Sequence, residues 1–150
     1  MTYQIELVSV RPTVLAAVRK RTTFEALGAT IIKSLDEVYA FLRTAPVKQK
    51  GLNVVVYFDD VINIEAGVQV SSEFEPTGTV ICSATPAGTA ARTIHYGPYS
   101  ALGEAHEAIR AWCAKNGKTL AGPNWEVYGH WNDDPRKLRT DVYYLLKDQA

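Results

Sequence analysis

The sequence predicts an α+β fold in which two tandem duplicated βαββ modules form a mostly antiparallel sheet, with two helices on one face and a ligand groove on the other. Three observations predict it: the order strand, helix, strand, strand occurs twice, both helical segments repeat apolar residues every three or four positions, and short motifs recur in both halves. Helices that cover one face of a sheet leave the other face partly open. We expect a single domain over residues 1–150, with pseudo-repeats at about 12–75 and 85–147.

The first half begins with alternating residues typical of strands, and Thr22-Thr23 then supplies a cap for an amphipathic helix. This helix must end before Pro46, because proline cannot donate the next backbone hydrogen bond. The expected elements are, in order, strands over residues 3–10 and about 13–20, the helix, and strands over residues 53–58 and 64–74.

The second half repeats this order, and its helix has the apolar stripe Leu102, Ala105, Ile109, Trp112 and Cys113. The expected elements are a strand over residues 87–96, a helix from about Pro98 or Ser100 to Asn116-Gly117, and strands over about 124–131 and 140–146. The segment FEALG at Phe24 resembles YSALG at Tyr99, and Asp59-Asp60 matches Asp133-Asp134. Together with the element order, these matches favour an internal duplication.

Composition and charge exclude several classes of protein. Apolar residues make up 47% and charged residues 21%, which is typical of a globular protein and not of a disordered one. Sixteen Lys and Arg balance sixteen Asp and Glu, so the basic footprint of a DNA-binding protein is absent. No apolar run is long enough for a membrane helix, and no secretory signal is visible at the N-terminus. We expect a cytoplasmic protein without direct contact with nucleic acid or membrane.

The usual signatures of metal and cofactor sites are also missing. Cys82 and Cys113 form no CxxC motif, and we expect both to be reduced thiols. The chain has no Gly-rich phosphate loop, no HExxH and no GxSxG. We therefore expect neither a cofactor nor a metal.

The predicted strand NWEVYGHW is the most informative segment. Alternation places Glu126, Tyr128 and His130 on one face and Trp125 and Trp131 on the other, and the tryptophan face suits packing against the helices. The acidic face then lies in the groove. Glu126 either faces water or pairs with a basic side chain of a neighbouring strand, or it is the acidic group of an aromatic-walled pocket for planar or cationic ligands.

Other residues can reach the groove. Tyr57 occupies the position in the first half that corresponds to His130. Tyr143 and Tyr144 point to opposite faces, so one packs in the core and the other faces the groove. Alternation leaves open which of the two faces the groove, and Tyr144 is the candidate ligand contact.

Two further histidines have different expected roles. His95 ends a strand before Gly97-Pro98 and is either a hydrogen-bonded structural residue or a ligand contact. His106 lies at the edge of the helical stripe, where we expect a solvated flank.

The sequence resembles the GyrI-like family of small-molecule-binding domains over essentially its whole length. This family includes effector domains of multidrug-sensing transcription regulators, the DNA gyrase inhibitory protein and cyclopropanoid cyclopropyl hydrolases. The resemblance rests on the order and spacing of YQI at Tyr3, HYGPY at His95, WEVY at Trp125, DDP at Asp133 and TDVY at Thr140.

The resemblance implies a groove that binds hydrophobic, aromatic or cationic compounds, with Glu126 as the central binding glutamate. We expect sequestration of a drug or toxin by a monomer or weak dimer. The alternative is a hydrolase that opens the cyclopropane ring of DNA-alkylating toxins, with Glu126 as general base and Tyr128 as a positioning group. A protein-interaction role, such as inhibition of gyrase, is a third hypothesis. The sequence shows no DNA-binding module of the kind that the regulators have.

Overall fold

A computed structural model describes residues 2–59 and 62–148, and over these residues it confirms the predicted α+β class. Asp60, part of the expected Asp59-Asp60 turn, lies outside the described residues. The elements in chain order are β1 (Glu6–Val10), β2 (Val14–Arg21), α1 (Leu27–Leu42), β3 (Gln49–Asp59), β4 (Asn63–Val70), β5 (Val80–Ala84), β6 (Gly88–Tyr96), α2 (Leu102–Lys115), β7 (Leu120–Tyr128) and β8 (Arg139–Leu146).

The chain divides into two units with the same strand arrangement. The composite unit comprises Met1–Arg11 and Pro86–Ala150, and the continuous unit comprises Pro12–Thr85. The composite unit has the antiparallel order β1-β6-β8-β7, and the continuous unit has the antiparallel order β5-β2-β4-β3. In each unit the last strand of a βαββ segment lies between its first and its middle strand, and an additional strand pairs with the other edge of the first strand. The element order predicted for both halves is therefore confirmed.

In the continuous unit, α1 packs its apolar side against β2 and β4. Val38 of the helix and Ala16, Val18 and Val68 of the strands belong to one buried cluster. The expected cap at Thr22-Thr23 lies earlier than the helix itself. The Thr23 hydroxyl accepts a hydrogen bond from the Ala26 amide at 3.2 Å, so it closes a turn that precedes α1.

In the composite unit, the apolar stripe of α2 covers β6 and β8. The buried cluster comprises Leu102, Ala105, Ile109 and Cys113 of the helix with Ala91, Val142, Tyr144 and Leu146 of the strands. Burial raises the pKa of the Cys113 thiol. The stripe predicted from the sequence is confirmed, with Trp112 packed at its margin.

A glycine turn brings α2 back over the sheet. Gly97 follows β6 with φ +138°, a conformation that is accessible to glycine and strained for other residues. Its amide donates to the Leu138 carbonyl at 2.9 Å, and a single 3-10 turn, Tyr99–Ala101, then leads into the helix. The turn thus determines where the side chains of α2 stand above β6 and β8.

The boundaries predicted for β7 are wrong by several residues at both ends. The strand includes Pro123, because a register shift between Leu120 and Asn124 accommodates a residue without an amide hydrogen. The ladder ends after Gly129, whose amide donates to the Arg139 carbonyl at 2.8 Å. Trp131, expected to pack against a helix, is 72% exposed beyond the strand.

Replacement of Gly97 by alanine tests the importance of the turn. We expect Gly97→Ala to lower the free energy of unfolding by roughly 1–3 kcal/mol, because alanine is strained at positive φ. Gly103→Ala is the matched control: Gly103 lies in α2, the added methyl group would meet no atom within 4 Å, and alanine favours helix by up to about 1 kcal/mol. Urea denaturation measures both variants. Equal stability of the two would contradict the role of the turn.

Candidate functional site

A buried carboxylate lies at the centre of a polar cluster in the composite unit. Glu126 is in β7, opposite Val142 of β8, and is only 5% exposed. The Tyr128 hydroxyl donates to Oε1 at 2.5 Å, and Nε2 of His106 lies 2.7 Å from Oε2. Each carboxylate oxygen therefore has a hydrogen-bond partner, which a buried charge requires.

The cluster continues from His106 into β8 and back to α2. Nδ1 of His106 lies 2.6 Å from the Tyr144 hydroxyl, and Nη1 of Arg110 donates to the same hydroxyl at 2.9 Å. The His106 side chain is 14% exposed, and Tyr144 is 5% exposed. Arg110, Tyr144, His106, Glu126 and Tyr128 thus form one continuous hydrogen-bonded chain.

Aromatic rings adjoin this chain. The Tyr99 and Tyr128 rings meet edge to face with centroids 5.5 Å apart, and the rings of His106 and Tyr144 have a similar edge arrangement at 5.5 Å. Tyr99 is partly exposed, and burial of its hydroxyl raises the pKa of this residue. Flat rings beside a carboxylate suit planar or cationic molecules.

The sequence predicts that Glu126 lies on the face opposite the helices, and this prediction is wrong. Its carboxylate contacts His106 of α2, so the acidic face is the face that carries the helix. Trp125 lies on the opposite face, where its ring stacks on that of Tyr143 with centroids 5.1 Å apart and an interplanar angle of 2°. Alternation separated the two faces correctly, but it contains no information about which face the helix covers.

The structure brings together three of the predicted site residues, Glu126, Tyr128 and Tyr144. His130 is exposed beyond the end of β7. Tyr57 belongs to the continuous unit, where it is buried in β3 opposite Ile64. Of the pair Tyr143 and Tyr144, it is Tyr144 that faces α2.

His95 has the geometry of a structural histidine. It is fully buried, with Nδ1 2.8 Å from the Tyr3 hydroxyl and Nε2 3.1 Å from the Pro98 carbonyl. A carbonyl only accepts hydrogen bonds, so Nε2 has the proton that it donates to Pro98. His95 thereby ties the N-terminal segment to the glycine turn that precedes α2.

Three residues of the cluster were not predicted from the sequence as site residues. His106 was expected to be a solvated flank, and neither Arg110 nor Tyr99 was assigned to the site. His106 and Arg110 are four residues apart, which places them along one edge of the helix beside the apolar stripe. Polar residues in a row that borders an apolar stripe are the signal that could have identified these two residues.

The described residues contain no group of three or more His, Cys, Asp or Glu side chains that could hold a metal ion. No helix among them has the length and hydropathy needed to cross a membrane. The functional groups of the cluster are a carboxylate, an imidazole, two phenols and a guanidinium.

Comparisons with known proteins agree with the resemblance seen in the sequence. A family model for the GyrI-like small molecule binding domain matches residues 3–147. The search of curated proteins gave no match.

Several solved structures share the fold. The C-terminal domain of EcmrR has 22% identity and a TM-score of 0.83, with coverage of 99% of this chain and 100% of that chain. A longer EcmrR chain, solved in a complex with DNA, has 20% identity and a TM-score of 0.85, with coverage of 98% of this chain and 58% of that chain. SAV2435 bound to tetraphenylphosphonium has 10% identity and a TM-score of 0.67, with coverage of 98% and 94%. A hydrolase from Listeria innocua has 10% identity and a TM-score of 0.59, with coverage of 96% and 92%.

Removal of the imidazole tests the hydrogen bonding of the cluster. We expect His106→Ala to lower the free energy of unfolding by about 1–3 kcal/mol, because Glu126 and Tyr144 each lose a partner. Glu107→Ala, an exposed change on the same helix, is expected to alter it by less than about 0.5 kcal/mol. Chemical denaturation at neutral pH compares the variants. A free energy of unfolding of His106→Ala equal to that of the wild type would contradict these hydrogen bonds.

Proposed function

Because this chain belongs to the GyrI-like small molecule binding domain family, we propose that it binds hydrophobic, aromatic or cationic small molecules and sequesters a drug or toxin, with Glu126 as the acidic anchor. The observation that carries the proposal is the buried carboxylate, which is held in place by an imidazole and a phenol. A carboxylate has about four lone-pair positions, so it can bind a ligand in addition to donors from the protein.

The charge of Glu126 favours a cation. Coulomb attraction between a carboxylate and a monocation increases several-fold when water is replaced by protein surroundings. Another buried carboxylate, Glu65 of the continuous unit, is bound by the Arg19 guanidinium at 2.7 Å and so has a cationic partner from the protein itself. Glu126 is held by the His106 imidazole and the Tyr128 phenol.

The neighbouring rings supply the apolar part of the proposed site. Tyr128 contacts the carboxylate, Tyr99 packs edge to face on Tyr128, and Tyr144 packs on His106. Such rings attract lipophilic cations through burial and cation–π contact. The bound tetraphenylphosphonium of SAV2435, a protein of the same fold, supports this class of ligand. Tyr57, His130 and His95 are not part of the cluster. Their roles as ligand contacts stay predictions.

The remaining expectations about partners and location are part of the proposal. The formal charge of zero supports the prediction that the chain makes no direct contact with nucleic acid. A cytoplasmic location, no cofactor, and a monomeric or weakly dimeric state likewise stay predictions.

Replacement of Glu126 tests the anchor. We expect Glu126→Gln to weaken binding of tetraphenylphosphonium by at least about tenfold, because glutamine keeps the shape but removes the charge. Isothermal titration calorimetry measures the dissociation constants. Glu107→Gln, a charge removal on the exposed side of α2, is the matched control and should bind like the wild type. Unchanged affinity in Glu126→Gln would refute the anchor role.

A second candidate function is hydrolysis of cyclopropane-containing, DNA-alkylating toxins. It is favoured by the Listeria innocua hydrolase of the same fold and by the hydrogen bond from Tyr128 to Glu126. Glu126 would take a proton from water as the water oxygen bonds to a ring carbon and the ring C–C bond breaks. The electron pair would pass to the electrophilic group conjugated with the ring, which then takes up a proton. Tyr128 would hold the carboxylate in position.

Turnover distinguishes the two functions. If the protein is a hydrolase, incubation with a cyclopropane-bearing alkylator should yield a ring-opened product that is heavier by one water, detected by mass spectrometry. Glu126→Gln should then bind the alkylator and abolish turnover, because an amide cannot accept the proton. Equal turnover by wild type and variant would exclude the mechanism. Binding without product in the wild type would favour sequestration.

A further inference from the structure

We propose that Glu65, Ser83 and Phe58 form a second cation site, which takes small planar cations with a guanidinium or amidinium group and which the protein's own Arg19 occupies. A ligand of this class binds by displacing the Arg19 side chain. All four residues belong to the continuous unit. The site is therefore separate from Glu126 and does not rest on the proposed anchor role of that residue.

The groups of this site converge on one guanidinium from three strands. Glu65 of β4 lies opposite Arg19 of β2. Nε and Nη2 of Arg19 donate to Oε2 of Glu65 at 3.2 Å and 2.7 Å, and the Ser83 hydroxyl of β5 donates to Oε1. The guanidinium carbon lies 5.2 Å from the centre of the Phe58 ring of β3. A carboxylate that accepts from a planar fork and an aromatic ring beneath it are the contacts that recognise cations of this type.

The two charges of the site differ in their access to solvent. Glu65 is fully buried, whereas the Arg19 side chain is 64% exposed. Arg19 can therefore leave Glu65 by rotation of its side-chain bonds into water, without movement of the backbone. The carboxylate that remains keeps its hydrogen bond from Ser83. Because a buried charge without a counter-charge is costly, such a carboxylate strongly favours a replacement cation.

The fold itself does not require this arginine. In the composite unit, Asp141 is the third residue of β8, as Glu65 is the third residue of β4, and its neighbour on β6 is Ile94. Asp141 takes its cation from Arg139 of the same strand, at 2.8 Å. A carboxylate at this sheet position is thus accommodated without an arginine on the adjacent strand. A requirement of the sheet does not explain the pairing of Arg19 with Glu65.

Displacement exchanges one planar cation for another. Because Arg19 is attached to the site, it competes at an effective concentration in roughly the millimolar range or above. A free ligand must overcome this competition with contacts that Arg19 lacks. An aryl amidinium has such contacts, since its ring adds apolar surface beside Phe58 while its fork matches the carboxylate. We expect weak binding to the wild type and much tighter binding where Arg19 has been removed.

Isothermal titration calorimetry tests the site with three probes of similar shape: benzamidinium, neutral benzamide, and benzyltrimethylammonium, a cation that donates no N–H hydrogen bond. The proteins are the wild type, Arg19→Ala and the double variant Arg19→Ala/Glu65→Gln. Arg21→Ala is the matched control, because Arg21 lies two residues further along β2, on the same face, and is exposed. This control removes the same charge but leaves Glu65 with its partner.

We expect Arg19→Ala to bind benzamidinium at least about tenfold more tightly than the wild type, because the internal competitor is absent. Arg21→Ala should stay within about threefold of the wild-type affinity, because an exposed charge is largely screened. The double variant should lose the gain, since glutamine keeps the shape of Glu65 without its charge. Benzamide should gain nothing in any variant, and benzyltrimethylammonium should gain less than benzamidinium in Arg19→Ala.

A second variant keeps the test decisive if Arg19→Ala does not fold. Arg19→Gln retains a donor that can reach Oε2 of Glu65 but has no charge. It should also bind benzamidinium more tightly than the wild type, because a neutral amide competes less strongly for a carboxylate than a guanidinium does. In either variant, benzamidinium should raise the thermal unfolding temperature more than benzamide does, because a ligand of the native state stabilises it.

Several results would overturn the proposal. One is a wild-type affinity for benzamidinium in both Arg19→Ala and Arg19→Gln, and another is a gain that the double variant retains. An equal gain for benzamide or benzyltrimethylammonium would refute recognition by the planar fork. The same titrations in proteins that also contain Glu126→Gln separate the two sites. The effect of Arg19→Ala should persist there, and its loss would show that the probe binds at Glu126 alone.

Discussion

Burial of the Glu126 carboxylate is the constraint on which the composite unit's polar architecture depends. An ionised carboxylate removed from water is costly unless donors reach both oxygens. One donor, Tyr128, comes from the same strand, and the other, His106, comes from α2. The helix must therefore lie at a defined position above β6 and β8, from which His106 reaches Glu126 of β7. The Gly97 turn and the apolar stripe set that position, and His95 fastens the turn to the N-terminal segment.

The buried carboxylates Glu65 and Glu126 show how the same residue type can serve different purposes. Glu65 is bound by the Arg19 guanidinium and the Ser83 hydroxyl, an arrangement in which the protein supplies the counter-charge. Glu126 is bound by an imidazole and a phenol. The first arrangement joins side chains of neighbouring strands, whereas the second joins a strand to the helix above it.

Agreement between sequence and structure was greatest where a local rule decided the outcome. The stripe Leu102, Ala105, Ile109 and Cys113 identified the buried side of α2, because helical periodicity and burial depend on the same geometry. Strand limits were less accurate at β7, where Pro123 suggested a beginning but a register shift accommodates it inside the strand. β5 was not predicted, because its five residues VICSA have no clear alternation.

The sequence by itself determined the α+β class, the repeated element order, the family and the separation of Glu126 and Tyr128 from Trp125 onto opposite faces of one strand. These follow from periodicities and motifs that are local in the chain. Only the tertiary structure decided which face α2 covers and that His106 and Arg110 join Tyr144 and Glu126. Those contacts join residues far apart in the chain, and a helix pattern contains no information about which residues of a sheet its polar edge will meet.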